Sequence, residues 1–188
     1  MLVMKFGGTS VGNADRLAHV ARLVAEARAR DPQLVVVVSA MSGVTNTLFA
    51  VARLAASGGA AEARERLGGL LALHRDTARA LLQTPQELHP VEETIVAHLD
   101  DISRFCDSIS ILGEATVRTL DRVAGMGERL SSVLLAAALR ERGVPAEAVP
   151  ATEMIVTDAH FGAAHPDIDV SRPRVRARLL PQIGRAHV

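Results

Sequence analysis

The chain has no tryptophan, no tyrosine and only four phenylalanines among its 188 residues. Bases therefore have no aromatic surface to stack on, and with 21 Lys+Arg against 21 Asp+Glu the formal net charge is +0. Neither an electrostatic footprint nor a stacking platform for nucleic acid is present. Cysteine is nearly absent as well: Cys106 stands alone and closes no internal disulfide. No apolar run reaches the ~18 residues that a spanning helix needs. The opening Met1-Leu2-Val3-Met4-Lys5 also lacks the basic and long apolar regions of a secretory signal. The expectation is a cytoplasmic protein with neither membrane nor nucleic acid as partner. The last scarcity is lysine. Lys5 is the only one, and every other cation is arginine.

What is there is an ordinary globular composition, 48% hydrophobic and 22% charged, enough for one sizeable core. Leu2 to Phe6 reads as a short buried strand and Leu34-Val35-Val36-Val37-Val38 as a second. Between them, Ala14 to Arg30 sets Leu17, Val20, Leu23, Val24 and Ala27 on one helical face, with Asn13 available as N-cap. Continuous apolar strands joined by a helix predict parallel neighbours covered on both faces, a β-α-β unit. From about Thr45 to Leu120 the pattern is almost wholly helical, with stretches at Glu62 to Leu82 and Val91 to Leu112 punctuated by Gly58-Gly59 and Pro85. A further amphipathic helix is predicted over Gly127 to Arg142, then a short strand over Ala146 to Val149.

Three segments carry chemistry. In Lys5-Phe6-Gly7-Gly8-Thr9-Ser10 a compact ammonium precedes a glycine turn whose amides can approach an anion, so a phosphate is the first partner to consider. The lysine precedes the glycines, which rules out a Walker-type loop, and a plain glycine turn is the alternative. Ser39-Ala40-Met41-Ser42-Gly43-Val44-Thr45-Asn46-Thr47 lies at the carboxyl end of the valine strand, where open parallel sheets bind ligands. Its alternative is a capping segment in which Ser42 or Thr45 starts a helix. In Gly125-Met126-Gly127-Glu128-Arg129-Leu130-Ser131-Ser132, Glu128 could bind an ammonium, or could be an acid in the first turn of a helix opening there. His19, His74, His89, His98, His160 and His165 show no close pair with ligand spacing, so surface or satisfied histidines are expected and no metal site is assigned.

Lys-Phe-Gly-Gly-Thr-Ser-Val at 5 to 11, Val-Ser-Ala-Met-Ser-Gly-Val-Thr-Asn at 38 to 46 and Gly-Glu-Arg-Leu-Ser-Ser at 127 to 132 together resemble the aspartokinases. Ile155-Val156-Thr157-Asp158-Ala159-His160-Phe161-Gly162-Ala163-Ala164 is similar to the same family, and the resemblance extends from Met1 to about Leu180. It implies an amino-acid kinase fold, a three-layer α/β/α sandwich with a mainly parallel sheet, here incomplete and with a helical insertion over about 48–124. It also implies transfer of the ATP γ-phosphoryl group, with Mg²⁺ accompanying the nucleotide, to the side-chain carboxylate of L-aspartate. The product, 4-phospho-L-aspartate, opens the lysine, threonine and methionine pathways. Under that resemblance Lys5 is the catalytic cation, and Lys5, Gly7, Gly8, Thr9 and Ser10, with Ser39 beside them, hold the phosphates. Thr45 and Glu128 hold L-aspartate, Glu128 through the amino group. The parent is expected to be a homo-oligomer, and the 188 residues alone inactive. Alternatives are a glutamate, acetylglutamate or uridylate kinase of the same superfamily, or a dinucleotide-binding oxidoreductase. The last is disfavoured because Gly7-Gly8-Thr9-Ser10-Val11-Gly12 does not give Gly-x-Gly-x-x-Gly and no acid ends the second strand.

Residues 1–182 are thus assigned to the N-terminal part of an amino-acid kinase domain, and 183–188 to something else. Ile183-Gly184-Arg185-Ala186-His187-Val188 is the translation of ATC GGA AGA GCA CAC GTC, a stretch of a widely used sequencing adapter whose two preceding bases, AG, would close the codon of Gln182. Those residues are kept out of every functional argument, as an expression scar would be. Resequencing the source DNA across codon 182 is expected to show a different continuation, whereas a genomic sequence that encodes these six residues would overturn the adapter reading.

Overall fold

In the computed structural model residues 1–183 are described, and 184–188, five of the six residues of the adapter reading, lie outside the described residues. Strand β1 (Leu2–Phe6) pairs in parallel with β2 (Leu34–Val38), in register from Leu2 opposite Leu34 to Phe6 opposite Val38. Helix α1 (Ala14–Arg30) makes the crossover. Its start is set by Asn13, whose side chain accepts from the Arg16 amide at 3.0 Å, and Asp15 in its first turn and Arg28 and Arg30 in its last complement the helix dipole. Met4 and Phe6 of β1 and Val36 and Val38 of β2 turn toward the core. On the opposite face Val3 is 57% exposed and Val37 47%, with Lys5 directly opposite Val37 in the register. Among the described residues the helices thus cover one face of this sheet, although the unbroken valines predict cover on both. A run of valines reports that a strand favours apolar surroundings, not which neighbour supplies them.

Four long helices follow: α2 (Val44–Ala56), α3 (Ala60–Leu81), α4 (Pro85–Leu112) and α5 (Val117–Arg140). They share one hydrophobic core with the β-α-β unit, in which Leu17 and Val20 of α1 join Leu48 of α2, Ile95 and Ile102 of α4, and Leu130 and Leu134 of α5. Two helices begin earlier than the sequence pattern predicts. Pro85 starts α4 instead of interrupting it, since proline at the first helical position gives up an amide that has no partner there anyway. Thr84 provides no side-chain cap, and Glu141 supplies one from the end of α5, accepting from the amides of Gln83 (3.0 Å) and Thr84 (3.1 Å) and from Thr84 Oγ1 (2.8 Å). Beside it Arg140 donates to both oxygens of Glu87. Helix α5 opens at Val117, ten residues before Gly127, with the Thr116 hydroxyl capping the Thr119 amide.

The strand predicted over Ala146 to Val149 is not formed. Pro145 and Pro150 remove amide donors on both sides, and no described strand pairs with the segment. A 3₁₀ turn (Ala151–Glu153), an antiparallel bridge between Thr157 and Pro166, and α6 (Ile168–Leu179) complete the described chain. Among the described residues no helix is long and apolar enough to cross a membrane.

One buried side chain makes stability depend on pH. His74 in α3 is fully enclosed; its Nδ1 donates to the Leu70 carbonyl (2.7 Å), and its Nε2 has no partner. Burial holds its pKa below the usual 6.5, so it is neutral in the fold, while the amides and hydroxyl at Thr84 and Gln83 hold the Glu141 carboxyl below its usual 4.5. Both groups bind protons more readily once unfolded, so stability is full above pH 6.5, falls first as His74 is protonated in the unfolded chain, and falls again below pH 4.5. Denaturant unfolding between pH 7 and 4 is expected to show His74→Leu flattening the upper part of that slope and Glu141→Gln the lower part; slopes unchanged from the parent chain would refute both assignments.

Candidate functional site

The two loops that follow β1 and β2 lie side by side because their strands are parallel and in register, and the Ser39 amide extends the pairing by donating to the Phe6 carbonyl (3.0 Å). In the first loop the Ser10 amide closes a turn on the Gly7 carbonyl (2.9 Å), while the amides of Gly8 and Thr9 have no hydrogen-bond partner among the described residues. A Cβ at Gly8 would stand 2.9 Å from the Ala40 carbonyl oxygen, so only glycine lets the first loop rest on the second. No atom lies within 4 Å of a Cβ placed at Gly7, which leaves that side of the turn open. Arg16 of α1 donates to the Thr9 carbonyl and ties the turn down from the far side. Lys5 stands one residue before the turn, exposed on the open face of the sheet.

The second loop ends in the N-terminus of α2. Gly43 is its N-cap at φ 82°, and no side chain caps the helix, so the alternative in which Ser42 or Thr45 serves as a cap is not realised. The Val44 amide returns to Met41 (3.1 Å) and that of Thr47 to Gly43 (3.0 Å), while the amides of Thr45 and Asn46 are without partners among the described residues. Two free amides, the Thr45 hydroxyl and the positive end of a helix dipole suit a carboxylate or phosphate oxygen.

Helix α5 lies across this loop. A Cβ at Gly127 would meet Ala40 Cβ at 2.8 Å and Val44 Cγ1 at 3.2 Å. One turn on, Ser131 Oγ donates to the Ser39 carbonyl at 2.7 Å. Glu128 is therefore set against the second loop from the middle of a 24-residue helix, and the alternative of a first-turn acid fails because α5 begins eleven residues before it. Its Oε2 is buried and has no hydrogen-bond partner among the described residues. A buried carboxylate oxygen left bare is costly, and an ammonium or other donor placed there would satisfy it.

The three sequence motifs thus meet at Ala40, which touches the first loop through its carbonyl and α5 through its methyl. Sequence reasoning missed Ala40 itself, the Ser131 link and the Arg16 tether, none of which has a residue type that announces such a role. The fourth segment, 155–164, folds on the first half of α5, where the Gly162 amide donates to Asp121 Oδ2 (2.6 Å) and the Arg118 guanidinium stacks 5.2 Å from the Phe161 ring. There His160 and His165 do come together, both donating backbone amides to Asp158 Oδ1 at 3.1 Å, and those amides hold the Asp158 carboxyl below its usual range. Among the described residues no group of three His, Cys, Asp or Glu could hold a metal ion. Cys106 is buried, with its thiol pushed up to about 11 chiefly by that burial, so it is no thiolate nucleophile near neutrality. A surface depression of about 480 Å³ between α3 and α4 includes Arg75, His89, Glu92 and Asp100. It is open, its Glu92 is already engaged by Arg75 and Arg79, and it touches none of the three motifs, so the junction at Ala40 is the better site.

A parallel β-α-β unit with free amides in its two post-strand loops, packed against a helix that bears a buried carboxylate oxygen without a partner among the described residues, defines an α/β domain. The chain belongs to the amino acid kinase family, whose match runs over residues 1–183. It is 35% identical over 160 residues to aspartokinase 1 of Arabidopsis thaliana, covering 83% of this chain and 26% of that protein. With the lysine-sensitive aspartokinase 3 of Escherichia coli it shares 31% identity over 190 residues, 98% of this chain and 38% of the relative. Two crystal structures of E. coli aspartokinase III superpose on 96% of the chain and 38% of theirs. The complex with lysine and aspartate gives a TM-score of 0.83 at 28% identity, and the complex with aspartate and ADP 0.80 at 30%. The chain therefore spans between about a quarter and two-fifths of the length of these relatives.

Proposed function

We propose that this chain is the substrate-gathering part of an aspartokinase, which transfers the γ-phosphoryl group of ATP to the side-chain carboxylate of L-aspartate and yields 4-phospho-L-aspartate. The observation that carries it is the bare, buried Oε2 of Glu128, on the residue next to Gly127, which itself packs on Ala40 and on Val44 at the uncapped N-terminus of α2. An amino acid matches both ends: its ammonium pairs with Glu128, and a carboxylate takes the Thr45 hydroxyl and the free amides of Thr45 and Asn46. Lys5 and the Gly8 and Thr9 amides then face the phosphates, with Gly7 leaving room, Ser10 closing the turn and Ser39 at the neighbouring strand end. In phosphoryl transfer the protein mainly positions the partners and offsets negative charge, and lysine, amides and helix end supply both. Mg²⁺ belongs with the nucleotide, held by phosphate oxygens and water. The relatives' complexes with aspartate and ADP, and the three motifs meeting at one junction, support this reading over a dinucleotide-binding oxidoreductase.

Titration of the 188-residue chain with L-aspartate, L-glutamate, ADP and NAD, followed by backbone amide NMR, is the direct test. Aspartate and ADP are expected to shift residues 7–10, 39–46 and 127–131, with glutamate weaker and NAD silent. Tighter binding of glutamate would move the assignment to another amino acid kinase. Glu128→Ala is expected to weaken aspartate by at least about 10-fold while sparing ADP, since it removes the carboxylate that pairs with the ammonium. Equal aspartate affinity would end the substrate role of Glu128.

Turnover needs more of the catalytic domain. In a chimera that continues the chain after Leu179 with the remaining part of E. coli aspartokinase III, Lys5→Arg is expected to lower kcat on the order of 10²-fold despite the retained charge. A planar, bulkier cation cannot take the place of a compact ammonium beside a phosphate. Parental turnover in that variant would make Lys5 merely structural.

A further inference from the structure

Helix α5 contains two glycines two residues apart, each less favourable than alanine in a helix interior. Their surroundings differ sharply. No atom lies within 4 Å of a Cβ at Gly125, whereas a Cβ at Gly127 would stand 2.8 Å from Ala40 Cβ, 3.2 Å from Val44 Cγ1 and 3.5 Å from Leu48 Cδ1. Space is required at the second position and not at the first.

We propose that Gly127 is a positioning residue that sets the distance between α5 and the second loop, and that Ala40 passes this distance on to the phosphate-facing loop. The proposal rests on the reading of Glu128 and Thr45 as the amino-acid site. Glu128 follows Gly127 directly, so any retreat of α5 from Ala40 carries its carboxylate away from the N-terminus of α2, and both ends of the amino acid are no longer held at once. Ala40 is gripped on its other side, where its carbonyl oxygen lies 2.9 Å from the position of a Cβ at Gly8. A push on its methyl therefore moves the support under the Gly8 and Thr9 amides. Ser131 holds the same spacing by its hydrogen bond to Ser39, since α5 cannot withdraw without breaking that 2.7 Å contact. Small side chains at 40 and 127 thus work as a gauge between an ammonium site and a phosphate site, and a misplacement of about 1 Å at such a junction is enough to cost 10²-fold in a reaction.

The test uses four variants of the 188-residue chain: Gly125→Ala, Gly127→Ala, Ala40→Gly with Gly127→Ala, and Ser131→Ala. Each is checked for helix content by circular dichroism and titrated with L-aspartate and with ADP by NMR. Gly125→Ala is expected to bind both as the parent does and to unfold at a higher temperature. Gly127→Ala is expected to weaken aspartate by at least about 10-fold and ADP by a smaller factor with helix content unchanged. Removing the opposing methyl in the double variant is expected to restore both to within about threefold, a rescue that general damage to α5 would not give. Should Gly127→Ala fail to fold, Ser131→Ala adds no volume and carries the test, with aspartate binding weakened on the order of fivefold. Parental affinity in Gly127→Ala, a double variant no better than the single one, or parental affinity in Ser131→Ala if that variant carries the test, overturns the proposal while leaving the functional reading intact. If the parent chain binds neither aspartate nor ADP, the functional reading falls, and the gauge falls with it.

Discussion

Everything at the candidate site depends on how closely backbone can approach backbone around Ala40. Gly8 comes against its carbonyl oxygen and Gly127 against its methyl, at separations that no side chain at either glycine would permit. Close packing of this kind is rigid, because an interior at crystal-like density moves as a unit or not at all. The junction therefore joins two chemically different stretches, one a turn with free amides after the Lys5 strand, the other a bare carboxylate and a helix N-terminus. Neither stretch has its meaning alone. A glycine turn after a strand is common, and an acid on a helix is commoner still.

Sequence was a good guide where one physical signal dominated. Asn13 followed by an apolar stripe marked the start of α1, and the unbroken Leu34–Val38 run could be little other than strand. It misled where a local rule was outweighed by packing. Gly125 and Gly127 read as a break, yet α5 runs straight through both, since Val123, Leu130 and Leu134 around them are fully buried and offset the helical cost of two glycines. Pro85 read as punctuation but begins a helix, a position where its missing amide is harmless. The predicted strand at 146–149 lacks a partner, and an extended segment without a ladder to join has no reason to be a strand.

The site was legible in its residues and illegible in its geometry. Lys5 stood out as the lone lysine before a glycine turn, whereas Gly7, Gly8, Thr9, Ser10, Ser39, Thr45 and Glu128 were singled out as a set only through the aspartokinase resemblance of the motifs that hold them. Ala40, Ser131 and Arg16 could not, because alanine, serine and arginine occur everywhere in this chain and their roles exist only between elements far apart in sequence. The contact from Ser131 to Ser39 spans 92 residues. No periodicity or motif encodes such a pairing. The mistaken helix start mattered most for Glu128, because a first-turn acid is stabilised by the dipole and explains itself. Moved to mid-helix, the same residue loses that explanation and its unpartnered oxygen requires another.

A mid-helix carboxylate can be held more accurately than one on a loop, provided the helix itself is anchored at both ends. Helix α5 is. At its carboxyl end Arg140 and Glu141 reach across to Glu87, Gln83 and Thr84, fastening it to the start of α4. Toward its amino end Asp121 accepts from the Gly162 amide, and Arg118 stacks on Phe161, fastening it to the 155–164 segment. Glu128 lies between these two fastenings, one residue from the Ala40 contact and one turn before the Ser131 hydrogen bond. The helical stretch expected as an insertion thus packs into the same core as the β-α-β unit and holds α5 in place. Helix α4 holds one end of α5, α2 presents its own N-terminus to the site, and both share the core with the β-α-β unit. Removing those helices would leave α5 without its fastening at Gln83, Thr84 and Glu87, and would free the Glu128 carboxylate from its buried place behind the second loop.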